Sequence, residues 1–310
     1  MKKNLSLVLT FFVILSCSDD ELSLEETSKE PCLDSEIPCP IIIGKKNEGC
    51  VANIIFIAEG FTETELPEFK NLSEIAKSAI LDMEPFSSSS GKLNFYRVDS
   101  PSVTSGIKSI QYTSECNGTT GSNTTSDTPW GVFSNKNGLE RFLGMEDSKR
   151  DNLETLFGNY ATGDYAYTII IANSIKYLGG AEFPGIAEHD LTAKPRVSNM
   201  IISKNDSGNS FKYLVRHEFG HSFGDLDDEY VDLTSLCALK EQEWFITSTA
   251  KKNVLTYNPG SWYEGARYVP TGYWREWQNS IMRTGYNETE FSPVQFKIVQ
   301  KRLEEAIGCP

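Results

Sequence analysis

Two of the three histidines in this 310-residue chain lie four residues apart, with a glutamate directly after the first. The stretch reads His217-Glu218-Phe219-Gly220-His221, the HExxH pattern. On a helix, side chains four apart share one face a turn apart, so both imidazoles can converge on one cation. Glu218, next to the first ring, is directed so that its carboxylate can reach a water on that cation. Imidazole nitrogens suit Zn2+, and a catalytic zinc site keeps three protein ligands and an open corner for water. The chemistry implied is hydrolysis by metal-activated water, with Glu218 as general base.

A third ligand is required. Gly224 follows His221 by three residues and Asp227 follows Gly224 by three, completing HExxHxxGxxD. A glycine there can leave the helix through positive φ and turn the chain back, bringing Asp227 to the metal. His189 has nothing local to steer it to the site. Glu241 and Glu243 are runner-up ligands, since another class of HExxH enzymes uses a glutamate some twenty residues downstream. Asp225, Asp228 and Glu229 are close to the motif too, and their plainer reading is a solvated acidic turn or hydrogen-bond partners of the histidines; Asp227 is preferred among these choices.

The elements around the motif predict an α/β fold. Val51–Ala58, Ala166–Ala172 and Asn199–Ser203 are short, nearly continuous apolar runs, the pattern of strands buried on both faces. Leu93–Val98 reads as a further strand. Residues 64–83 carry apolar positions at helical spacing, with Pro67 in the first turn and Pro85 beyond the end. Residues 138–160 are expected to be helical, as is Ser292–Ile307 at the C-terminus. Asn117–Thr128, rich in Ser, Thr, Gly and Asn, is expected as a loop. Glycine-rich Tyr177–Ile186 reads as a loop or edge strand near the site, able to pair with an extended substrate. The aromatic-rich stretch from Trp244 to Trp277 either lines a specificity cleft or forms lower core, and the second is the expectation.

The net charge of −14 leaves no basic excess for phosphates and argues against a nucleic-acid partner. Lys2 and Lys3 followed by apolar Leu5–Leu15 form an export signal too short to span a bilayer. Ile14-Leu15-Ser16-Cys17 resembles the lipobox of bacterial lipoproteins, which implies lipidation of Cys17 and a protein anchored to the outer membrane at the cell surface. Loss of residues 1–16 removes two lysines and takes the charge to −16. Eight acids and one lysine between Cys17 and Glu36 make a net −7 leader, read as a solvated tether. The expected organisation is a signal peptide over 1–16, a tether over 17–48 and one catalytic domain over 49–310. Six other cysteines (Cys32, Cys39, Cys50, Cys116, Cys237 and Cys309) are compatible with disulfides in an exported chain, with the pairing open. The oligomeric state is not readable.

HExxHxxGxxD followed by Ser280-Ile281-Met282-Arg283 resembles the metzincin clan, whose methionine turn lies beneath the metal. Asp227 stands where most of that clan have histidine. HEFGHSFGDLDDEY is similar to the signature of the IgA peptidase family of bacterial zinc metallopeptidases. Further matches in order include Ala58-Glu59-Gly60-Phe61-Thr62, Pro85-Phe86, Asn94-Phe95, Ala172-Asn173-Ser174 with Gly179-Gly180, and Tyr263-Glu264-Gly265-Ala266. Glu59 replaces an aspartate common in relatives. The resemblance implies a metzincin-like catalytic domain with a twisted mixed sheet and a less regular C-terminal subdomain. It implies a zinc endopeptidase acting on extracellular proteins, with His217, His221 and Asp227 on the metal and Glu218 as base. Arg283 and Tyr286 are candidates for stabilising the transition state, and Tyr230 for orienting a ligand carboxylate. Immunoglobulin A as substrate rests on the family name alone; an unidentified host or environmental protein is the expected target. The alternatives are a catalytically silent surface binding lipoprotein on the same fold, or hydrolysis of a non-peptide amide.

Overall fold

The computed structural model describes residues 38–114, 117–122, 127–136, 141–161, 165–176, 178–182, 196–205, 208–232, 249–283 and 288–307. Three apolar runs form the centre of a six-stranded sheet: β2 (Ala52–Glu59), β8 (Tyr165–Ala172) and β10 (Arg196–Ser203). With β1 (Ile41–Ile42), β3 (Leu93–Val98) and β9 (Gly179–Glu182), the spatial order is β1-β3-β2-β8-β10-β9. Strands β3, β2, β8 and β10 are parallel, whereas β1 and β9 run antiparallel along the two edges.

Successive side chains on a strand face opposite ways, so β2 feeds two cores. Ile54, Phe56 and Ala58 meet Phe69, Ala76 and Ile80 of α1 (Leu66–Leu81) together with Leu214, Phe219 and Phe223 of α3 (Asn209–Gly224). Val299 and Leu303 of α4 (Pro293–Ala306) close that layer. Ile55 and Ile57 face Trp130, Leu143, Leu153 and Phe157 on the other side, the last two from α2 (Asp147–Phe157). Helices thus cover both faces, as buried parallel strands require.

A second sheet has the order β5-β4-β6-β7, from β4 (Lys108–Ser114), β5 (Asn117–Ser122), β6 (Val132–Ser134) and β7 (Leu143–Met145). A third has the order β11-β13-β12, from β11 (Val254–Leu255), β12 (Tyr263–Ala266) and β13 (Val269–Arg275).

Three expectations are corrected here. The helix expected over 138–160 begins only at Asp147, because Leu143–Met145 pairs with Val132–Ser134 as a strand. The polar loop expected from Asn117 opens as β5, whose backbone pairs antiparallel with β4. The folded body also starts before residue 49. Ile41 and Ile42 pair with β3, Ile42 and Ile43 are buried, and Cys39 and Cys50 are both disulfide-bonded. Residues 1–37, including Cys17 and Cys32, lie outside the described residues, as do Cys116, Cys237, Cys309 and Trp244.

Glu59 ends β2 fully buried, and its two carboxylate oxygens accept the backbone N–H groups of Trp130 (3.1 Å) and Val132 (2.8 Å). It therefore ties the second sheet to the central one. Burial outweighs these bonds and raises its pKa above 4.5.

Candidate metal centre

Helix α3 is buried along most of its length between the sheet, α1 and α4, although half of its residues are polar or charged. Its rigidity fixes the two histidines. The His217 and His221 rings stand edge to face, 4.9 Å between centroids, with their Nε2 atoms 3.3 Å apart. Each Nδ1 points at a backbone carbonyl: Ile281 O at 2.9 Å from His217 and Leu226 O at 2.6 Å from His221. A carbonyl can only accept, so both Nδ1 atoms carry a proton, and both Nε2 atoms face the shared point.

The chain leaves α3 one residue later than the glycine suggests. Gly224 is helical; Asp225 takes the left-handed conformation, with φ 55° and ψ 45°. Aspartate tolerates that region better than most side chains. Gly224 serves close packing instead, since a Cβ there would stand 3.0 Å from Val299 Cγ2 of α4 and 3.1 Å from Leu226 Cγ.

That one-residue delay changes which carboxylate arrives. Asp228, not Asp227, stands at the imidazoles: its Oδ1 lies 2.9 Å from His217 Nε2 and 3.2 Å from His221 Nε2. Asp227 turns away. Its Oδ2 accepts from Lys251 N at 2.7 Å and lies 3.1 Å from Arg267 Nε, while its backbone is bracketed by Asn253. The group that could hold a cation is therefore His217, His221 and Asp228, whose donor atoms all lie within 4.8 Å of one another, and Asp227, expected in it, stands outside. Asp225 pairs with Lys251 at 2.7 Å. His189, Glu241, Glu243 and Tyr286 lie outside the described residues.

The donor set fits a cation. A tetrahedral ion with bonds of about 2.0–2.2 Å holds its donor atoms roughly 3.3–3.6 Å apart, and the three separations here, 2.9, 3.2 and 3.3 Å, run from the lower edge of that span to a few tenths of an ångström below it. Electrostatics agree. Burial works to lower His221, but the charge and hydrogen bond of Asp228 outweigh it and push the imidazole up to about 10. Burial likewise works to raise Asp228, and the imidazoles overcome it to hold that carboxyl well below its usual range. The shared point attracts positive charge.

The sequence model of the family described as IgA Peptidase M64 matches residues 47–256, which hold the helix and all three donors. This chain belongs to that family. It is a peptidase, and the matched region carries the His217, His221 and Asp228 group that could hold a metal ion. The chain has no match among curated proteins.

In this M64 peptidase, Glu218 is buried beside the cluster, and burial raises its pKa above 4.5, partly offset by His217 and His221. Strand β9 passes directly over it. A Cβ on Gly179 would collide with Glu218 Oε1 and lie 2.9 Å from its carboxyl carbon, so only glycine leaves the carboxylate its place. Met282 packs beneath α3 with its sulfur against Gly220, between the two histidines in sequence. The same turn supplies Ile281 O to His217 and Met282 O to Glu229 N. Arg283 is tied to Gln278 O and Asn279 Oδ1.

Several supports are invisible to a motif search. Tyr268, expected only as an aromatic of the lower core, donates to Asp228 Oδ2 at 2.5 Å and accepts from Tyr230 at 2.8 Å. Glu229, fully buried, accepts from Asn253 Nδ2 at 3.0 Å and Ser280 Oγ at 2.8 Å, locking the loop to the methionine turn. The sequence around Asn253, Tyr268 and Ser280 carries no pattern that marks them as partners of the cluster. The outer edge of β9 is partly taken at Gly179, whose N–H donates to Arg141 O at 3.1 Å.

Proposed function

We propose that the chain is a zinc-dependent endopeptidase that hydrolyses peptide bonds of extracellular proteins. The observation that carries this reading is the set of three donor atoms 2.9–3.3 Å apart with the buried Glu218 carboxylate alongside. His217 Nε2, His221 Nε2 and Asp228 Oδ1 would hold the ion. When bound, zinc supplies the Lewis acidity that lowers a water's pKa and polarises a carbonyl. Glu218 takes the proton of the attacking water as its oxygen bonds to the carbonyl carbon. It then gives that proton to the amine as the C–N bond breaks. The raised proton affinity that burial gives Glu218 suits a group that must hold the proton between those two events. Ile281 O and Leu226 O keep both imidazoles in the tautomer that ligation needs. The position of Met282 under the histidine pair supports a metzincin-like arrangement.

The reading extends to location. The N-terminal signal and Cys17 support an exported protein, lipid-anchored at the outer membrane and facing outward, with residues up to 37 as its tether. Extracellular proteins are then the substrates within reach. The site specifies the bond rather than the target, so immunoglobulin A is not singled out. The test is metal analysis of the wild type and Glu218→Ala, followed by cleavage of a peptide library. The expected result is about one zinc in each protein and cleavage by the wild type alone. A wild type that holds zinc and cuts no peptide would support the silent binding lipoprotein instead.

A further inference from the structure

Strands β12 and β13 meet in a two-residue hairpin: Ala266 pairs with Val269, leaving Arg267 and Tyr268 at the tip. Both have positive φ, 52° and 69°, as a type I′ turn demands of its two central residues. Such turns favour Asn-Gly, because a large L side chain crowds its own backbone in the left-handed region. Here the positions hold two of the largest side chains in the molecule, each only 1% exposed. Non-glycine residues held in this conformation gather where the rest of the site needs them.

Each tip residue reaches a different one of two neighbouring aspartates. Arg267 Nε lies 3.1 Å from Asp227 Oδ2, and its backbone N–H donates to Asp228 O at 2.9 Å. The Tyr268 hydroxyl donates to Asp228 Oδ2 at 2.5 Å, and its N–H to Tyr230 O at 3.0 Å. Tyr230 extends the chain by donating its own hydroxyl to that of Tyr268 at 2.8 Å.

We infer that the Arg267–Tyr268 tip sorts the two aspartates, Arg267 keeping Asp227 away from the imidazoles and Tyr268 turning Asp228 Oδ1 toward them. This rests on the metal reading above and names the groups that set its geometry. Either oxygen of a free carboxylate can serve as a ligand; a phenol on Oδ2 leaves Oδ1 as the one that faces His217 and His221. Tyr268 is a positioning residue, acting through Asp228, and Tyr230 reinforces it by polarising its hydroxyl.

The test is zinc affinity of the whole protein, measured by competition with a chromogenic chelator, for Tyr268→Phe with and without Asp228→Ala. Loss of such a ligand partner weakens metal binding by about 10- to 100-fold. The expected result is a rise of that size in Kd for Tyr268→Phe alone, and less than about threefold once Asp228 is gone, because the two changes act through one contact. A Kd within about twofold of wild type, or an equal loss in the Asp228→Ala background, overturns the assignment. Should Tyr268→Phe lack the native near-UV circular dichroism, Tyr230→Phe takes its place. A weakening of about three- to tenfold that vanishes without Asp228 is then expected, and an unchanged Kd is refuting. A wild type that takes up no zinc sinks the metal reading itself, an outcome distinct from either.

Discussion

Gly179→Ala puts one methyl group against the base and nothing else in the cluster. Its carbon would stand 2.9 Å from the carboxyl carbon of Glu218 and 2.9 Å from Leu214 Cδ1, about 0.5 Å short of the 3.4 Å where ordinary contact begins; Glu218 Oε1 is crowded further. The strand backbone is paired to β10 at Gly179 and Gly180, so the carboxylate, at the end of a flexible side chain, is what moves. A displacement of a reacting group by about 0.5–1 Å lowers the rate by roughly 10- to 100-fold. That corresponds to about 1.4–2.7 kcal/mol in the barrier. The assay is kcat and KM on a peptide the wild type cuts, with zinc content and Tm measured in parallel. The expected pattern is a fall in kcat, one zinc retained, and a Tm lowered by no more than a tight packing defect explains, about 1–3 kcal/mol. Gly91→Ala, where the added carbon meets nothing within 4 Å, is the matched control and should behave as wild type. Full kcat in Gly179→Ala would refute the role given to Glu218 and to the strand above it.

The neighbouring aspartates should separate cleanly. Asp228→Ala is expected to lose tight zinc binding, whereas folded Asp227→Ala keeps its zinc but is less stable by about 3–5 kcal/mol, because Arg267 is left buried without its carboxylate; chelator competition and urea unfolding distinguish the two, and the reverse pattern would restore Asp227 as ligand. Glu59 predicts a pH dependence of stability. Its folded pKa lies above 4.5, so the native state holds the proton longer than the unfolded chain; the contribution is complete below about pH 4.5 and is lost as pH rises through the folded value. Glu59→Gln should flatten that decline in a series of melting curves between pH 4.5 and 8, and a wild-type stability that climbs over the same interval would contradict the sign.

The catalytic helix and its sheet were legible because their signals are local. His217, Glu218 and His221 sit at helical spacing on α3, and the apolar runs at 51–58, 166–172 and 199–203 became β2, β8 and β10. The helix expected over 64–83 spans Leu66–Leu81, and the C-terminal one spans Pro293–Ala306. The third donor was misread by one position for a local reason. Glycine at 224 looked like the helix stop, but Val299 and Leu226 need that space, and Asp225 made the left-handed turn instead. A one-residue change of register at a helix end exchanges Asp227 for Asp228. What holds the exchange in place was not readable, since Lys251, Asn253, Arg267 and Tyr268 come from a separate small sheet and its flanks. Residues 142–145 failed differently: their apolar spacing suits a helix, and pairing with β6 overrides it.

The ring of His217 depends on a carbonyl sixty-four positions further along the chain, and Asp228 on a phenol forty positions further. A polypeptide made from its amino end carries both histidines well before either of these partners emerges. Both contacts come from the segment beyond residue 256, so the geometry of the cluster is complete only once that segment has docked. A chain ending near residue 256 would hold the motif without Ile281 O or the Tyr268 hydroxyl to orient it.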